Sequence, residues 1–154
     1  MLNIRPVTLD DARVLFNWRN DPLTRKNSRT QDEVPWENHV AWLGKRVRGE
    51  VPSCKLYIAE DAGVPVGTVR ADEEGGVVEI SYTVAPDHRG KGVGKRMVVQ
   101  FAQTVLPPGT KLKAEIKKGG NESSEHIAKA LGLSPVSERA SEDPADPRPL
   151  VLWQ

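Results

Sequence analysis

The centre of the chain reads Glu79-Ile80-Ser81-Tyr82-Thr83-Val84-Ala85-Pro86-Asp87-His88-Arg89-Gly90-Lys91-Gly92-Val93-Gly94. Residues 77–84 predict a strand that Ala85-Pro86 closes, and three glycines then open a helix directly. Glycine lets the backbone turn sharply, and the unpaired N–H groups of a helix start favour an anion. Arg89, Lys91 and Lys95 add positive charge around this turn. The stretch therefore predicts a phosphate or pyrophosphate site between a strand and a helix.

Two common phosphate-binding patterns do not match these glycines. The Walker pattern needs a glycine five residues before Gly94, where Arg89 stands, and a Ser or Thr after its lysine, where the chain has an arginine. A dinucleotide pattern starting at Gly90 would need its third glycine at Lys95, and a βαβ unit in place of an antiparallel meander. The spacing that remains is Arg-x-x-Gly-x-Gly, met by Arg89, Gly92 and Gly94.

Hydrophobic periodicity on either side of this stretch predicts one mixed α/β domain over 1–154, with a mostly antiparallel sheet flanked by about four helices. Strands are expected at 2–4, 55–59, 64–69, 77–84, 110–116 and 150–153, and helices at 8–20, 35–49, 93–105 and 121–131. The third helix should cross between two neighbouring strands. Residues 21–33 are expected as a loop, and 134–149, rich in Pro, Ser, Glu and Asp, as a flexible one.

The charge, cysteine content and hydropathy of the chain exclude several classes of function. With 22 Lys plus Arg against 21 Asp plus Glu, the net charge of +1 gives no global field for nucleic acid or a membrane surface. Cys54 is the single cysteine, so an internal disulfide and a cysteine-based metal cluster are excluded, and we expect no metal. No apolar stretch approaches the roughly 20 residues of a membrane span, and the N-terminus lacks a signal-peptide core, so we expect a cytoplasmic protein.

The central stretch, from Glu79 to Pro86 and then Arg89-Gly90-Lys91-Gly92-Val93-Gly94, resembles the acetyl-CoA signature of the GNAT acetyltransferases. The order of elements agrees along the whole chain. Further on, Asn121-x-x-Ser124 and Leu131-Gly132-Leu133 resemble the second signature of that family. The resemblance implies the GNAT fold, acetyl-CoA as cosubstrate, and transfer of an acetyl group to a primary amine of a small molecule. It leaves the oligomeric state open, a homodimer included.

In that family the pyrophosphate of acetyl-CoA would bind at Arg89 to Gly94. The pantetheine arm would pair with backbone groups of Thr83 and Val84 as an added strand does, and an N–H near Val84 would polarise the thioester carbonyl. Asn121 would contribute to the cofactor site. These assignments follow from the resemblance alone.

The resemblance also implies catalytic groups. Glu79 is the candidate base that takes a proton from the attacking amine, with a solvated or hairpin-paired glutamate as the alternative. Relatives commonly carry a proton-donating tyrosine seven residues after the asparagine, where this chain has Ala128. Water, Ser124 or another hydroxyl would then protonate the thiolate, or it leaves unassisted; Ser124 is alternatively a helix cap.

The acceptor side is predicted from the first third of the chain. The pattern that indicates it is Trp18-Arg19-Asn20-Asp21-Pro22, Arg25, Ser28, Arg29 and His39-x-x-Trp42. It resembles the N-acetyltransferases of nucleotide-linked amino sugars, such as those of pseudaminic acid biosynthesis, and Rim-like acetyltransferases. Arg19, Arg25 and Arg29 would bind a diphosphate, and Asn20 and His39 would line the pocket. Protein N-termini, aminoglycosides and a non-catalytic acetyl-CoA-binding domain remain alternatives. So do a core position for the two tryptophans and a solvated face for the arginines.

Overall fold

A computed structural model describes residues 1–28 and 31–154. Over these residues the chain forms one seven-stranded sheet and five α-helices. The strands are β1 Asn3–Pro6, β2 Cys54–Asp61, β3 Val64–Glu74, β4 Val77–Val84, β5 Lys111–Lys117, β6 Pro135–Arg139 and β7 Leu150–Trp153. The helices are α1 Ala12–Arg19, α2 Pro22–Lys26, α3 Trp36–Val47, α4 Val93–Thr104 and α5 Glu122–Ala130. The expected mixed α/β class is confirmed.

The strand order across the sheet is β1-β2-β3-β4-β5-β7-β6. Every pairing is antiparallel except that of β4 with β5. Parallel neighbours need a crossover, and α4 supplies it, as expected for the third long helix. The strand that precedes the glycine turn and the strand that follows α4 therefore lie side by side.

The helices cover both faces of the sheet. On one face α4 buries Met97, Val98 and Phe101, each at most 1% exposed, against β3 and β4. On the other face α1 and α3 bury Leu15, Trp18 and Leu43 against Ile58 of β2. Trp18 is thus a core residue. None of the helices that the structure describes is long and apolar enough to cross a membrane.

Two segments expected as loops contain regular structure. Within 21–33 the chain forms α2, because the Asp21 carboxylate accepts the N–H of Thr24 and Pro22 fits a first helical turn. Within 134–149 the chain forms β6, which pairs with β7 at the edge of the sheet. Every residue of β6 is exposed, so no alternation of apolar and polar residues announces it.

Buried charges anchor the segment that follows β6. Lys117 and Asp146, 3% and 5% exposed at their side chains, form an ion pair at 2.8 Å. Arg148 binds the same carboxylate and also donates to the Lys26 carbonyl at 2.9 Å. The hydrogen bonds of Arg148 and Lys117 are the dominant causes that hold the pKa of Asp146 well below its usual range. Residues 146–148 therefore contact the C-terminal end of α2 and the buried Lys117, and the flexibility expected for 134–149 stays a prediction.

Candidate functional site

The parallel strands β4 and β5 separate halfway along their length. Their pairing covers only Val77 to Glu79 opposite Lys111 to Lys113. Beyond this point β5 pairs with β7 on its other side, while residues 80–84 of β4 have no β5 partner among the described residues. A wedge therefore opens along one edge of β4, and we call residues 80–84 the wedge edge. Thr83 and Val84, expected to hold the cofactor, lie on it.

The glycine turn leads from the wedge edge into α4. Gly90 and Gly92 both have φ of +74°, in the left-handed region that glycine adopts without strain. The first hydrogen bond of α4 runs from the N–H of Arg96 to the carbonyl of Gly92 at 3.2 Å. Helix geometry gives the preceding N–H groups, including that of Lys95, no carbonyl within the helix. The turn thus presents backbone donors to an anion, with exposed Lys91 beside them.

Gly94 places this helix start close against the wedge edge. A Cβ at Gly94 would lie 3.2 Å from Ile127 Cδ1 and 3.3 Å from both Tyr82 Cε2 and Val84 Cγ2. These separations are shorter than ordinary van der Waals contacts, so a larger residue at Gly94 would require its neighbours to shift by a few tenths of an ångström. Gly92 therefore serves the turn and Gly94 serves helix packing.

The Arg89 side chain has an unexpected partner. Its Nη2 donates to Asp21 Oδ2 at 2.5 Å and to Thr24 Oγ1 at 3.1 Å, so it reaches α2. Burial raises the pKa of Asp21, but the hydrogen bonds from Arg89 and the Thr24 N–H outweigh burial and lower it. The pyrophosphate contact expected for Arg89 stays a prediction. The structure shows an ion pair between the glycine turn and the start of α2.

Glu79 lies where the two strands begin to separate. It occupies the last position of the β4–β5 pairing, in register with Lys113 of β5. On its other side it is in register with Asp72 of β3. Its side chain is half-buried. The role of Glu79 as the base stays a prediction.

The start of α5 closes the other side of the wedge. Asn121 donates from Nδ2 to the Lys117 carbonyl at 2.9 Å and so fixes the turn from β5 into α5. Ser124 Oγ lies 2.9 Å from the hydroxyl of Tyr82, which reaches it from the wedge edge. Burial raises the pKa of Tyr82, and the Ser124 bond opposes this only in part. Ala128, one turn further, is 2% exposed in the core.

Sequence reasoning did not single out Tyr82. The alternation of Val78, Ile80, Tyr82 and Val84 along β4 places it on the face that α4 and α5 cover. That alternation could have predicted which face of β4 carries Tyr82. Its pairing with Ser124, 42 residues away, had no signal in the sequence.

Asn20 and His39, which are predicted to line the acceptor pocket, bind backbone groups of neighbouring segments. Both polar atoms of the Asn20 amide bind the backbone of Val34, at 3.0 and 2.8 Å, and hold the stretch before α3. His39 is 5% exposed and its Nε2 lies 3.1 Å from the Ala12 carbonyl. Burial lowers the pKa of His39, with a smaller opposite effect of that hydrogen bond. These contacts are structural, and a role in acceptor binding stays a prediction.

Arg19 and Arg25 each have a buried nitrogen atom, and their two positive charges repel each other. Arg19 Nη1 and Arg25 Nε are buried and have no hydrogen-bond partner among residues 1–28 and 31–154. Burial, followed by the charge of Arg25, lowers the pKa of Arg19. Arg25 also binds the Gln31 carbonyl at 3.3 Å and lies 3.8 Å from Glu33. Arg29, the third arginine predicted to bind the acceptor, lies outside the described residues.

Within the described residues, no group of three or more His, Cys, Asp or Glu side chains could hold a metal ion. The candidate site comprises the wedge edge, the helix start at Gly92, the start of α5, and two arginines, Arg19 at the end of α1 and Arg25 within α2.

Comparisons with known proteins agree with this geometry. A family model described as an acetyltransferase (GNAT) domain matches residues 1–134. The L-amino acid N-acyltransferase MnaT of Escherichia coli K12 is 26% identical over 113 residues, which are 70% of this chain and 62% of that protein. A ribosomal-protein-alanine N-acetyltransferase from Brucella melitensis has a TM-score of 0.79 at 24% identity, over 99% of this chain and 98% of that one. The spermidine N-acetyltransferase of Vibrio cholerae has a TM-score of 0.84 at 15% identity, over 99% of this chain and 93% of that one.

Proposed function

The chain belongs to the acetyltransferase (GNAT) domain family, and on that premise we propose that it is an acetyl-CoA-dependent enzyme that acetylates a primary amine. The observation that supports this most is the wedge between β4 and β5, which ends at a helix start with two left-handed glycines. A long ligand with an anionic group at one end fits an open strand edge that leads to backbone donors. A cytoplasmic location stays a prediction.

In this proposal the pyrophosphate of acetyl-CoA binds the N–H groups at the start of α4, with Lys91 and Lys95 nearby. The pantetheine arm runs along the wedge edge and pairs with Thr83 and Val84 as a strand would. Gly94 keeps α4 near enough for one extended ligand to reach both places. Asn121 holds the turn that forms the opposite wall.

The chemistry asks for a neutral amine and a stabilised oxyanion. Glu79 takes the proton from the amine, directly or through water, at the point where the wedge opens. A backbone N–H near Val84 donates to the thioester oxygen as negative charge develops there. Because both reactants would be held in one cleft, the reaction gains the advantage of a unimolecular step.

The acceptor in this proposal carries an anionic group beside its amine. Two arginines with buried donors are costly, because burial removes their hydration and like charges repel. An anion bound between Arg19 and Arg25 would relieve both costs. A nucleotide-linked amino sugar supplies a diphosphate and is the first choice. An L-amino acid, the substrate class in the name of the Escherichia coli relative, supplies a carboxylate and is the second.

A panel of amines tests the function. It contains UDP-linked amino sugars, the free amino sugars, L-amino acids, an aminoglycoside and peptides with free N-termini, each with acetyl-CoA and a thiol-detecting assay. We expect turnover with a nucleotide-linked sugar and little with the free sugar. Turnover with none of these amines, despite acetyl-CoA binding, would favour a non-catalytic binding domain.

Arginine variants test the anion site. Arg19→Ala and Arg25→Ala should raise the Michaelis constant for the anionic acceptor by roughly tenfold to a hundredfold, with little effect on acetyl-CoA. Arg13→Ala is the matched control, because Arg13 also lies on α1 but is exposed and stacks on Trp36 at 3.9 Å. Equal effects of all three changes would argue against the assignment.

A further inference from the structure

Acetyl transfer expels the thiolate of coenzyme A, and a hydroxyl that donates to the sulfur makes it a better leaving group. Ala128 offers no polar atom, and it packs in the core with Ile116, Leu133, Val151 and Trp153. A side-chain donor would therefore have to come from another position around the wedge.

Tyr82 brings a hydroxyl to the wedge from β4, on the side opposite α5 and Ala128. It belongs to the wedge edge, in the part of β4 that has no β5 partner within the described residues. Its ring lies against the first turn of α4, where a Cβ on Gly94 would be 3.3 Å from Cε2. Its hydroxyl reaches the first turn of α5 and lies 2.9 Å from Ser124 Oγ. Three elements thus fix the side chain between the two helix starts that flank the wedge.

Ser124 and Ala128 are four residues apart on α5 and therefore share a face of the helix. The Tyr82 hydroxyl is held one turn before Ala128, from β4 instead of from α5 itself. This arrangement places the phenol of Tyr82 near Ala128, whose side chain is only a methyl group.

We infer that Tyr82 is the general acid of acetyl transfer, with Ser124 as the positioning residue that orients its hydroxyl; this rests on the proposed function. The amine nitrogen attacks the thioester carbon, and the carbon–sulfur bond breaks as the intermediate collapses. The sulfur receives the Tyr82 proton, and the phenolate regains a proton from solvent, by way of Ser124. The proton lost by the amine passes to Glu79 and then to solvent, so the products are an amide and coenzyme A thiol.

The surroundings keep the phenol protonated. Burial raises the pKa of Tyr82 above its ordinary value near 10, so the hydroxyl is a proton donor at neutral pH. In the absence of cofactor its hydroxyl shares a hydrogen bond with Ser124, and in this proposal it donates to the sulfur when the cofactor is bound. The charged thiolate is the stronger acceptor of the two.

The experiment compares Tyr82→Phe, Ser124→Ala and a control, Tyr57→Phe. Tyr57 is the other tyrosine of the chain, and its ring packs against Phe101, with centroids 5.0 Å apart. Three quantities are measured: the thermal midpoint, the steady-state constants, and the pKa of the thiol of bound coenzyme A, followed by thiolate absorbance. The thiol titration needs only coenzyme A and so does not depend on the acceptor.

We expect Tyr82→Phe to lower kcat about a hundredfold with an unchanged Michaelis constant for acetyl-CoA. It should also raise the pKa of the bound thiol by about one unit, because the thiolate loses a donor. Ser124→Ala should lower kcat by several-fold, roughly the effect of one neutral hydrogen bond, and Tyr57→Phe should change none of these.

Wild-type kcat and wild-type thiol titration in Tyr82→Phe would overturn the inference, as would a lower thermal midpoint with no change in either. If Tyr82→Phe does not fold, Ser124→Ala decides: a wild-type kcat and thiol titration there overturn the inference. Failure of the unaltered protein to bind coenzyme A contradicts the proposed function and the inference together. A wild type that binds coenzyme A but acetylates no amine contradicts the proposed function, and the thiol titration still tests Tyr82.

Discussion

The ion pair between Arg89 and Asp21 gives a prediction that separates stability from cofactor binding. Asp21→Asn removes the charge but keeps an oxygen that can accept the Thr24 N–H at the start of α2. Arg89→Gln removes the opposite charge and keeps a long polar side chain. Asp10→Asn is the matched control, because Asp10 is an exposed aspartate just before α1.

The magnitude follows from the surroundings of the pair. The side chains of Arg89 and Asp21 are 31% and 19% exposed, so the pair lies between a solvated and a buried one. A charged hydrogen bond contributes about 1.5–3 kcal/mol and an exposed ion pair about 0.2–1, so each single change should cost roughly 1–2 kcal/mol. At about 2–4 °C per kcal/mol for a domain of this length, the midpoint should fall by roughly 2–8 °C.

The assay is a double-mutant cycle by thermal and urea unfolding. The double variant should cost little more than either single one, a coupling of about 1 kcal/mol. Because the pKa of folded Asp21 is lowered, this contribution should be present above pH about 3.9 and lost as pH falls through the folded value. Coenzyme A should bind Asp21→Asn at least as tightly as wild type and Arg89→Gln more weakly. Additive changes within about 0.3–0.5 kcal/mol would refute the coupling.

Three further predictions concern single residues. Gly92→Asp should abolish coenzyme A binding in calorimetry, since a side chain at φ +74° is strained and its charge repels phosphate; unchanged affinity would contradict the pyrophosphate assignment. Glu79→Gln should lower kcat steeply with nearly intact acetyl-CoA affinity, and a wild-type rate from about pH 6 to 9 would exclude Glu79 as base. Because burial lowers the pKa of His39, the unfolded state binds more protons below about pH 6.5 and wild-type stability should fall there; in urea titrations His39→Gln should lack this loss, and equal slopes would count against a buried neutral His39.

Elements with strong local signals could be predicted from the sequence. α4 has an apolar stripe from Val93 to Phe101 after a glycine turn, and both features depend only on neighbouring residues. The phosphate-type turn was also local, because left-handed backbone at Gly90 and Gly92 is a property of the residue type. Element order then indicated the parallel pair at the centre of the sheet.

Tertiary structure alone decided the short polar elements and the long-range pairs. α2 is only five residues long and β6 is exposed along its whole length, so neither has an apolar face that periodicity could reveal. The bond between Tyr82 and Ser124 joins residues 42 positions apart, and the ion pair of Arg89 with Asp21 joins residues 68 positions apart. Such contacts depend on how helices dock on the sheet. Docking is set by the packing of many side chains together, and no single stretch of sequence records it.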